Sequence, residues 1–496
     1  MNLFLALQKS INKHVDKNAF IINGISYKYG AFAEAISRIR KAIQLNTIET
    51  EKSLGLVAND DLETYAAIIA LWFEGKSYVP LSPETPRERN ENIIHQAFLK
   101  TIIDSSDKPL FLEYSVIESK NLPPTAIDLV PKNTPENELV YILFTSGTTG
   151  QPKGVPISRE NLTGFIDSFH KMELVIDEND RCLQMFELTF DLSVVSYLYP
   201  LLHGACVYTI PKDKIKYGYI YELMDEQKLT YALMVPSILH YLRPYFDEID
   251  FPDVKYSLFC GEALPLDITE EWSKHLPNAK ILNVYGPTEH TIYCTEYVFN
   301  RDAENKTHNG VLSIGKAMVD TLTIIIDENN HELPIGAIGQ LCLGGNQLTS
   351  GYWNNEEKNK EAFFYINYKG EQTRFYKTGD LCRFDEDGDI LYLGRLDYQI
   401  KVQGFRIELS EIEFHIKAFL KKMNVVAVAI QDAIGNTEIG LVIESKEFDI
   451  SPLQEYIKLK LPAYMIPKQI KFIDKFDLNS NGKTDRNKLK LLFNVI

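Results

Sequence analysis

A loop rich in glycine and hydroxyl residues has the composition of a phosphate-binding site. Glycines let backbone amides approach an anion, and hydroxyl and ammonium groups supply further donors. The loop follows the apolar run 139–143, and its candidate phosphate ligands are Thr145, Ser146, Gly147, Thr148, Thr149, Gly150 and Lys153. A Walker A loop is disfavoured because Lys153 precedes Gly154, where that motif requires Ser or Thr. A Gly/Thr-rich turn without a ligand is the alternative.

A second polar turn could complete a nucleotide site. It lies in the segment Asn283-Val284-Tyr285-Gly286-Pro287-Thr288-Glu289, which ends an apolar run. Tyr285 could stack on a base, Thr288 could donate a hydrogen bond to a phosphate, and Glu289 could hold Mg²⁺. An ordinary Gly-Pro turn is the alternative.

The elements that must position these loops follow an α/β pattern. Short apolar runs alternate with helical periods, and the runs at 205–210, 231–235, 256–260 and 280–284 predict parallel strands. The carboxyl ends of such strands are where open α/β sheets place their ligands. The predicted fold class is therefore α/β, with a large N-terminal domain over residues 1–396.

The pattern of predicted secondary structure changes twice towards the C-terminus. Between about 314 and 396, short strands separated by Gly- and Asn-containing turns predict a β-rich subdomain. Residues 397–496 show the pattern of a hairpin, a helix, two strands and a further helix, long enough for a small α+β domain of their own.

The segments TSGTTGQPKG and NVYGPTE resemble motifs of the adenylate-forming superfamily, which includes acyl-CoA synthetases, luciferases and the adenylation domains of nonribosomal peptide synthetases. The resemblance spans roughly residues 20–490. It implies that Asn283, Val284, Tyr285, Gly286 and Pro287 bind ATP, with Asn283 facing the adenine amino group. Gly261 and Glu262 resemble the family's loop on the other side of the adenine.

A third motif, Tyr376-Lys377-Thr378-Gly379-Asp380, predicts a carboxylate at a strand-adjacent turn, where it can accept hydrogen bonds from both ribose hydroxyls. It resembles the family's YxTGD motif, which implies that Asp380 binds the ribose. Arg395 resembles a second nucleotide contact, and Asp397 falls on the interdomain hinge. The alternatives are an Asx-type turn cap for Asp380 and a surface turn for the other two.

The segment Asn481-Gly482-Lys483-Thr484-Asp485-Arg486 predicts an exposed polar turn near the C-terminus. By composition alone Lys483 would be an ordinary solvated lysine. The segment resembles the family's NGKxDR turn, which implies that Lys483 bridges the substrate carboxylate, the ribose and the α-phosphate. Lys483 and Thr288 are the predicted catalytic residues. The Lys483 cation at the reacting phosphorus would stabilise charge that develops in the transition state, and Thr288 could donate a hydrogen bond to a phosphate.

Asp191 distinguishes the branches of the family. In amino-acid-activating members an Asp at this place pairs with the substrate's α-ammonium group, and such a pair strengthens when it is shielded from water. A helix N-cap is the alternative. The segments FDLSVVSYLYPLLHGA, FCGEALP and LPAYMIP look most like the D-alanine:D-alanyl-carrier-protein ligase branch.

The side-chain pocket that the resemblance implies is uncharged and mostly bulky, and consists of Leu192, Val195, Met234, Leu258, Cys260, Val284, Ile292 and Tyr293. Bulky walls leave little volume, so a small apolar amino acid such as D-alanine is expected. Cys260 matches the D-alanine branch. Tyr293 and Met234 depart from the smaller residues expected there, which leaves another small or apolar amino acid open.

The resemblance implies two half-reactions with ATP and Mg²⁺. The first gives an aminoacyl-adenylate and pyrophosphate; in the second, the mobile C-terminal domain turns about Asp397 and a phosphopantetheine thiol takes the aminoacyl group. Gly404 would leave a bare backbone wall along the pantetheine path. We expect a carrier protein in trans, since no carrier segment follows Arg486. The basic stretch 458–490 is a candidate docking face, with a solvated tail as the alternative.

Composition restricts the partners. The chain has 496 residues, of which 45% are hydrophobic and 24% charged, a balance typical of a multidomain soluble protein. Its net charge of −16 argues against nonspecific nucleic-acid or anionic-membrane binding. Six dispersed cysteines favour reduced thiols and a cytoplasmic location. No apolar run reaches the roughly eighteen residues that membrane insertion requires.

Two other functions stay open beside a carrier-dependent amino acid ligase. An acyl- or aryl-CoA ligase would use free coenzyme A as the acceptor, and Asp191 disfavours it. A non-catalytic nucleotide-binding regulator would keep the loops without the chemistry, and Lys483 and Glu289 disfavour it.

Overall fold

The computed structural model describes residues 2–147, 150–421, 423–477 and 484–493. Thr148, Thr149 and Lys483, three of the predicted site residues, lie outside the described residues. The chain divides into two compact units. Unit 1 comprises Met1–Pro83, Ile94–Leu143 and Gly154–Leu396, and unit 2 comprises Glu84–Ile93, Phe144–Lys153 and Asp397–Ile496.

The α-helices of the described residues are α1 (Leu3–Lys13), α2 (Tyr29–Asn46), α3 (Leu62–Phe73), α4 (Arg87–Gln96), α5 (Arg159–His170), α6 (Asp191–His203), α7 (Lys216–Glu226), α8 (Ser237–Leu242), α9 (Leu266–Lys274), α10 (Glu356–Ala362), α11 (Leu409–Leu420), α12 (Ser451–Lys460) and α13 (Arg486–Leu491). In the described part of the chain, no helix combines the length and apolarity needed to cross a membrane.

The strands are β1 (Asn18–Ile22), β2 (Ile25–Lys28), β3 (Ser53–Val57), β4 (Ser77–Leu81), β5 (Thr101–Asp104), β6 (Ser115–Glu118), β7 (Leu139–Thr145), β8 (Lys153–Ser158), β9 (Arg181–Gln184), β10 (Cys206–Thr209), β11 (Tyr231–Met234), β12 (Tyr256–Phe259), β13 (Lys280–Tyr285), β14 (Thr295–Val298), β15 (Thr307–His308), β16 (Val311–Leu312), β17 (Lys316–Ala317), β18 (Thr321–Ile326), β19 (Gly339–Gly345), β20 (Phe363–Tyr368), β21 (Glu371–Phe384), β22 (Ile390–Arg395), β23 (Gln399–Val402), β24 (Phe405–Glu408), β25 (Val425–Gln431), β26 (Thr437–Glu444) and β27 (Gln469–Ile473).

Two large sheets carry the α/β portion of unit 1. One has the order β17-β14-β13-β12-β11-β9-β10-β1-β2, and the other β6-β5-β3-β4-β7-β8. The four runs that the sequence predicts to be parallel strands are β10, β11, β12 and β13; β11, β12 and β13 pair in parallel, and β10 pairs in parallel with β1 and β9. The predicted α/β fold class is confirmed.

Helices α3 and α6 form the centre of the core because they are apolar on nearly every side. Every residue of α3 except Glu63 is buried. Their side chains share one cluster with residues of α1, α2, α5 and of one face of β11–β13. A second cluster covers the other face of these strands, since side chains alternate along a strand.

The β-rich portion of unit 1 is an antiparallel sheet of order β18-β19-β21-β20, with β22 also paired to β21. The prediction of a turn at Asp380 is wrong. Asp380 lies inside β21, paired with Arg395 of β22. The register shifts between Leu381 and Cys382, so a bulge bends the strand without ending it.

Unit 2 contains the hairpin, helices and strands predicted for residues 397–496. Gln403 and Gly404, with φ of 51° and 83°, form the turn between β23 and β24, and β25-β26-β27 form a sheet against which α11 packs. Two positive φ values are typical of a type I′ hairpin turn. Unit 2 also includes Glu84–Ile93 and the phosphate loop, which the sequence prediction assigns to the large domain.

Candidate active site

Three polar residues from distant motifs meet in unit 1. Arg395 donates to Oδ1 of Asp380 at 2.7 Å, and the hydroxyl of Tyr285 donates to Oδ2 of the same carboxylate. Asp380 is only 6% exposed. The pairing of β21 with β22 sets this arrangement, because it places Asp380 opposite Arg395. The structure therefore brings together three residues that the sequence motifs assign to one nucleotide.

Burial and a neighbouring charge keep the phenol of Tyr285 protonated. Burial first, and the Asp380 charge second, raise the pKa of Tyr285 well above its ordinary value. The phenol therefore stays protonated and donates to the carboxylate. The hydroxyl of Thr378 accepts a bond from the Asp380 amide at 3.0 Å, which fixes the backbone at this point.

The loop that follows β13 is held tightly. Asn283 is buried, and its amide nitrogen donates to the carbonyl oxygens of Ser313 at 2.9 Å and Leu312 at 3.4 Å. A Cβ atom on Gly286 would lie 2.3 Å from the Cα of Tyr293, so only glycine permits this close approach.

The predicted loop on the other side of the adenine begins after β12. Glu262 accepts a bond from the amide of Ser237 at 2.8 Å, and Ser237 is the first residue of α8. The carboxylate of Glu262 thus satisfies a backbone donor at the start of α8, where negative charge is favourable. Gly261 precedes it directly.

Glu289 is the candidate metal ligand, and it is fully buried in the 3₁₀ turn Thr288–His290. The hydroxyl of Tyr352 donates to its Oε1 at 2.7 Å, which orients the carboxylate. Among the described residues no group of three or more His, Cys, Asp or Glu side chains is placed to hold a metal. A carboxylate oxygen suits Mg²⁺, but an ion here would take its remaining ligands from phosphates and water.

Asp191 is the first residue of α6, and the helix N-cap is Phe190. Asp191 is therefore not the N-cap of α6, which was the alternative role. The side chain is 7% exposed, and its negative charge adds to burial in raising the pKa of Tyr141 well above the ordinary value. Asp191 thus lies in a buried region beside a phenol.

Most residues of the predicted side-chain pocket share one apolar cluster: Leu192, Val195, Leu258, Cys260, Val284, Ile292 and Tyr293. Met234 is the exception, because it belongs to the cluster on the other face of the sheet. Its strand neighbour Leu233 occupies the first face, as alternation along β11 requires. The structure does not bring Met234 together with the other seven.

The pocket residues Ile292 and Tyr293 sit in a strained loop. Thr291 and Ile292 have φ of 51° and 74°, a region that β-branched residues rarely adopt. The side-chain amide of Gln347 donates to the carbonyl oxygen of Tyr293 at 2.9 Å and to those of His290 and Thr291 at 3.3 Å. Gln347 therefore holds this loop in place.

The sequence did not single out Gln347, Tyr352 or His290 as site residues. His290 is buried with Nε2 3.0 Å from the carbonyl oxygen of Gly344, and burial lowers its pKa to about 4. For Gln347 and Tyr352 the available signal was the polar stretch 346–352 directly after the Gly-Gly end of β19, and His290 directly follows the predicted metal ligand Glu289.

The phosphate loop connects strands β7 and β8. β7 ends at Thr145 and β8 begins at Lys153, so a strand follows the loop and not the helix that a Walker A loop requires. The hydroxyl of Ser146 donates to the carbonyl oxygen of Arg406 at 2.8 Å. Asp397, the predicted hinge, is exposed and is the first residue after unit 1 ends.

A family model described as AMP-binding enzyme matches residues 7–353. The chain belongs to the AMP-binding enzyme family. This confirms the superfamily that the motifs indicate and the prediction that the protein is an enzyme.

Two kinds of curated relatives match this AMP-binding enzyme. The D-alanine--D-alanyl carrier protein ligase of Bacillus velezensis is 29% identical over 505 residues, which cover 99% of both chains. Tyrocidine synthase 3 of Brevibacillus parabrevis is 31% identical over 95% of this chain, and the match spans only 7% of that synthase.

The fold is shared with a solved adenylation domain. The crystal structure of Vibrio cholerae adenylation domain AlmE in complex with glycyl-adenosine-5'-phosphate superposes on this AMP-binding enzyme with a TM-score of 0.87 and 24% identity. The match covers 99% of this chain and 97% of AlmE.

Proposed function

We propose that this AMP-binding enzyme activates a small apolar amino acid, D-alanine or a similar one, as an aminoacyl-adenylate and transfers it to the phosphopantetheine thiol of a separate carrier protein. The observation that carries the proposal is the buried carboxylate of Asp191 at the start of α6, where the adjacent residue Leu192 and, one turn further on, Val195 are predicted pocket walls. A substrate ammonium group there would pair with Asp191 while its side chain entered the apolar cluster.

The full-length relatives support this choice of reaction. Proteins named D-alanine--D-alanyl carrier protein ligase from Bacillus velezensis and Lacticaseibacillus paracasei each align with at least 98% of this chain and at 29% identity. Identity at this level supports a shared reaction class more strongly than a shared substrate. Tyr293 is bulkier than the residue expected at this pocket position in the D-alanine branch. The identity of the amino acid is therefore a separate part of the proposal, beyond the reaction class.

In the first half-reaction the substrate carboxylate attacks the α-phosphate of ATP and pyrophosphate leaves. The cluster of Tyr285, Asp380 and Arg395 would bind the adenosine moiety, with the Asp380 carboxylate accepting hydrogen bonds from the ribose hydroxyls. Glu289 would hold Mg²⁺, which neutralises charge on the phosphates when bound. Residues 145–153 would supply donors to the leaving phosphates, and Lys483 would act at the reacting centre.

In the second half-reaction the thiol of the carrier's phosphopantetheine attacks the adenylate carbonyl carbon, AMP leaves, and a thioester forms. The six cysteines of the chain are free and buried, which supports a thiol supplied by the carrier. The turn at Gly404 would line the path of the pantetheine arm, and Asp397 would serve as the hinge.

Exchange of labelled pyrophosphate into ATP across a panel of D- and L-amino acids and simple carboxylic acids tests the first half-reaction. We expect exchange with a small apolar amino acid, and its collapse in Lys483→Ala. Asp191→Ala should lower amino acid use while AMP binding stays near the wild-type value. Equal loss of both would mean that Asp191 has only a structural role.

The acceptor is tested by adding either a phosphopantetheinylated carrier protein or free coenzyme A to the preformed adenylate. Thioester on the carrier is the expected product. Thioester on free coenzyme A alone would favour the acyl-CoA ligase alternative.

A further inference from the structure

Unit 2 contains a buried ion pair beside the phosphate loop. Arg89 of α4 pairs with Glu411 of α11, and their side chains are 9% and 0% exposed. Burial alone would lower the pKa of Arg89, but the Glu411 carboxylate more than offsets this and raises it. A pair buried this deeply is costly unless its remaining lone pairs are also bound.

The other oxygen of the Glu411 carboxylate contacts the loop itself. The amide of Gly147 donates to Oε2 at 3.2 Å, while Oε1 faces Arg89. The carboxylate therefore bridges a guanidinium group and a glycine amide of the predicted phosphate loop. These two donors are the kind that proteins use to bind a phosphate oxygen.

Neighbouring contacts engage the loop on the same side. The hydroxyl of Ser146 donates to the carbonyl oxygen of Arg406 and accepts from the amide of Glu408 at 3.2 Å. A Cβ on Gly150 would lie 2.3 Å from the ring of Phe414, so this end of the loop lies flat against α11. Acceptors of the protein itself thus occupy donors that the proposed function gives to phosphates.

We propose that Arg89 and the Gly147 amide form an oxyanion site that Glu411 fills in this structure and that a phosphate oxygen of ATP or pyrophosphate fills when Glu411 withdraws. The site rests on the proposed function, because it adds a second cation to the phosphate end of that reaction. Glu411 and phosphate compete for the same donors, so each excludes the other.

Calorimetric titration of the full chain with ATP, AMP and inorganic pyrophosphate tests the site. Arg89→Met should weaken ATP and pyrophosphate binding about tenfold or more, since a charge-assisted hydrogen bond is lost. Glu411→Gln should tighten both severalfold, because the anionic competitor is gone. AMP lacks the β- and γ-phosphates, so its affinity should not change in either variant.

The two phosphate ligands distinguish the stage at which the site acts. Weakening of both ATP and pyrophosphate by Arg89→Met supports a site used from substrate binding onwards. Weakening of pyrophosphate alone supports a site for the leaving group. Arg89→Lys keeps the positive charge without the forked geometry of the guanidinium group, and it should lose less phosphate affinity than Arg89→Met. This second variant keeps the test valid if Arg89→Met folds poorly.

Matched controls come from the same helix. Arg87 and Glu91 form an exposed pair in α4, with side chains 57% and 38% exposed. Arg87→Met and Glu91→Gln should leave all three affinities unchanged. The melting temperature reports on the fold of every variant. Pyrophosphate should raise the melting temperature of Glu411→Gln more than it raises the melting temperature of the wild type.

A purely structural ion pair would give a different result. The Arg89 and Glu411 variants would then melt earlier while the ratio of ATP to AMP affinity stayed at the wild-type value, which overturns the site. Absence of both ATP and AMP binding in the wild-type chain would instead overturn the proposed function and the site with it.

Discussion

Asp380 and Asp191 are both buried carboxylates, but their surroundings differ. Asp380 is held between Arg395 and Tyr285, so its charge is already balanced. Asp191 lies at the first turn of α6, where the helix dipole favours negative charge, and beside the phenol of Tyr141. The motifs predict a ligand role for both residues. The direct Asp380–Arg395 contact could not be predicted, because it depends on the register between β21 and β22.

Tyr293 should limit the size of the substrate's side chain. Its ring is fully buried and contacts Phe165 edge-on with 5.0 Å between ring centroids. Tyr293→Ala should open the pocket and shift pyrophosphate exchange towards bulkier apolar amino acids, at a stability cost of about 3 to 5 kcal/mol for the lost ring. Tyr293→Phe keeps the ring and should keep the wild-type order of substrates. An unchanged preference in Tyr293→Ala would place the ring outside the pocket.

At the scale of elements, the strands and helices themselves follow from local patterns. The sequence pattern predicts a strand over 425–431 and a helix from 410 to about 421. The strand β25, Val425–Gln431, has these bounds, and α11, Leu409–Leu420, differs by one residue at each end. The long strand β21 was missed because Thr378-Gly379-Asp380 has the local composition of a turn. The strand continues through this segment as a bulge, with Gly379 at φ 76°, because Lys377 and Leu381 pair with β19 and Asp380 pairs with β22. The strained loop at Thr291 and Ile292 was also missed, since its support comes from a residue more than fifty positions away.

Gln347 should position the pocket loop without touching the nucleotide cluster. Gln347→Met keeps the volume but leaves buried carbonyl oxygens unsatisfied, which should destabilise the protein by about 1 to 3 kcal/mol. The KM for the amino acid should rise several times more than the KM for ATP, as steady-state kinetics with each substrate varied would show. Gln372→Met, on an exposed strand position, is the matched control. Equal rises in both KM values would argue for a general loss of folding instead.

At the scale of the whole molecule, alternation of strands and helices was sufficient to predict the α/β class and the β-rich segment. The grouping of residues into compact units was not predictable in the same way. Glu84–Ile93 and Phe144–Lys153 group with the C-terminal hundred residues through long-range contacts such as Arg89 with Glu411. Neither residue belongs to a motif with a recognisable composition, and an ion pair between positions so far apart leaves no periodic signal.

Acid should destabilise the folded chain through histidines whose pKa is lowered by burial. Burial lowers the pKa of His290 to about 4, whereas the unfolded chain keeps the ordinary value of about 6.5. The unfolded state therefore binds the proton first, and the stability that neutral His290 supports is present above about pH 6.5 and lost as the pH falls towards 4. The loss amounts to roughly 3 kcal/mol for this one residue.

Denaturant unfolding at pH 7, 6, 5 and 4.5 measures this effect. His290→Gln retains a donor for the Gly344 carbonyl and should show a shallower decline than wild type over that range. His203, whose pKa burial also lowers to about 4, adds to the wild-type decline and remains in the variant. Identical slopes in wild type and His290→Gln would contradict a neutral buried His290.

In the proposed function, Asp191 selects an amino acid by its ammonium group. The most direct measurement compares pyrophosphate exchange with D-alanine, L-alanine and glycine against propionate, which matches alanine except for that group, in wild type and in Asp191→Asn. Exchange with at least one of the amino acids, none with propionate, and a loss of the amino acid reaction in Asp191→Asn is the predicted result. Exchange with propionate while all three amino acids are inert would contradict it.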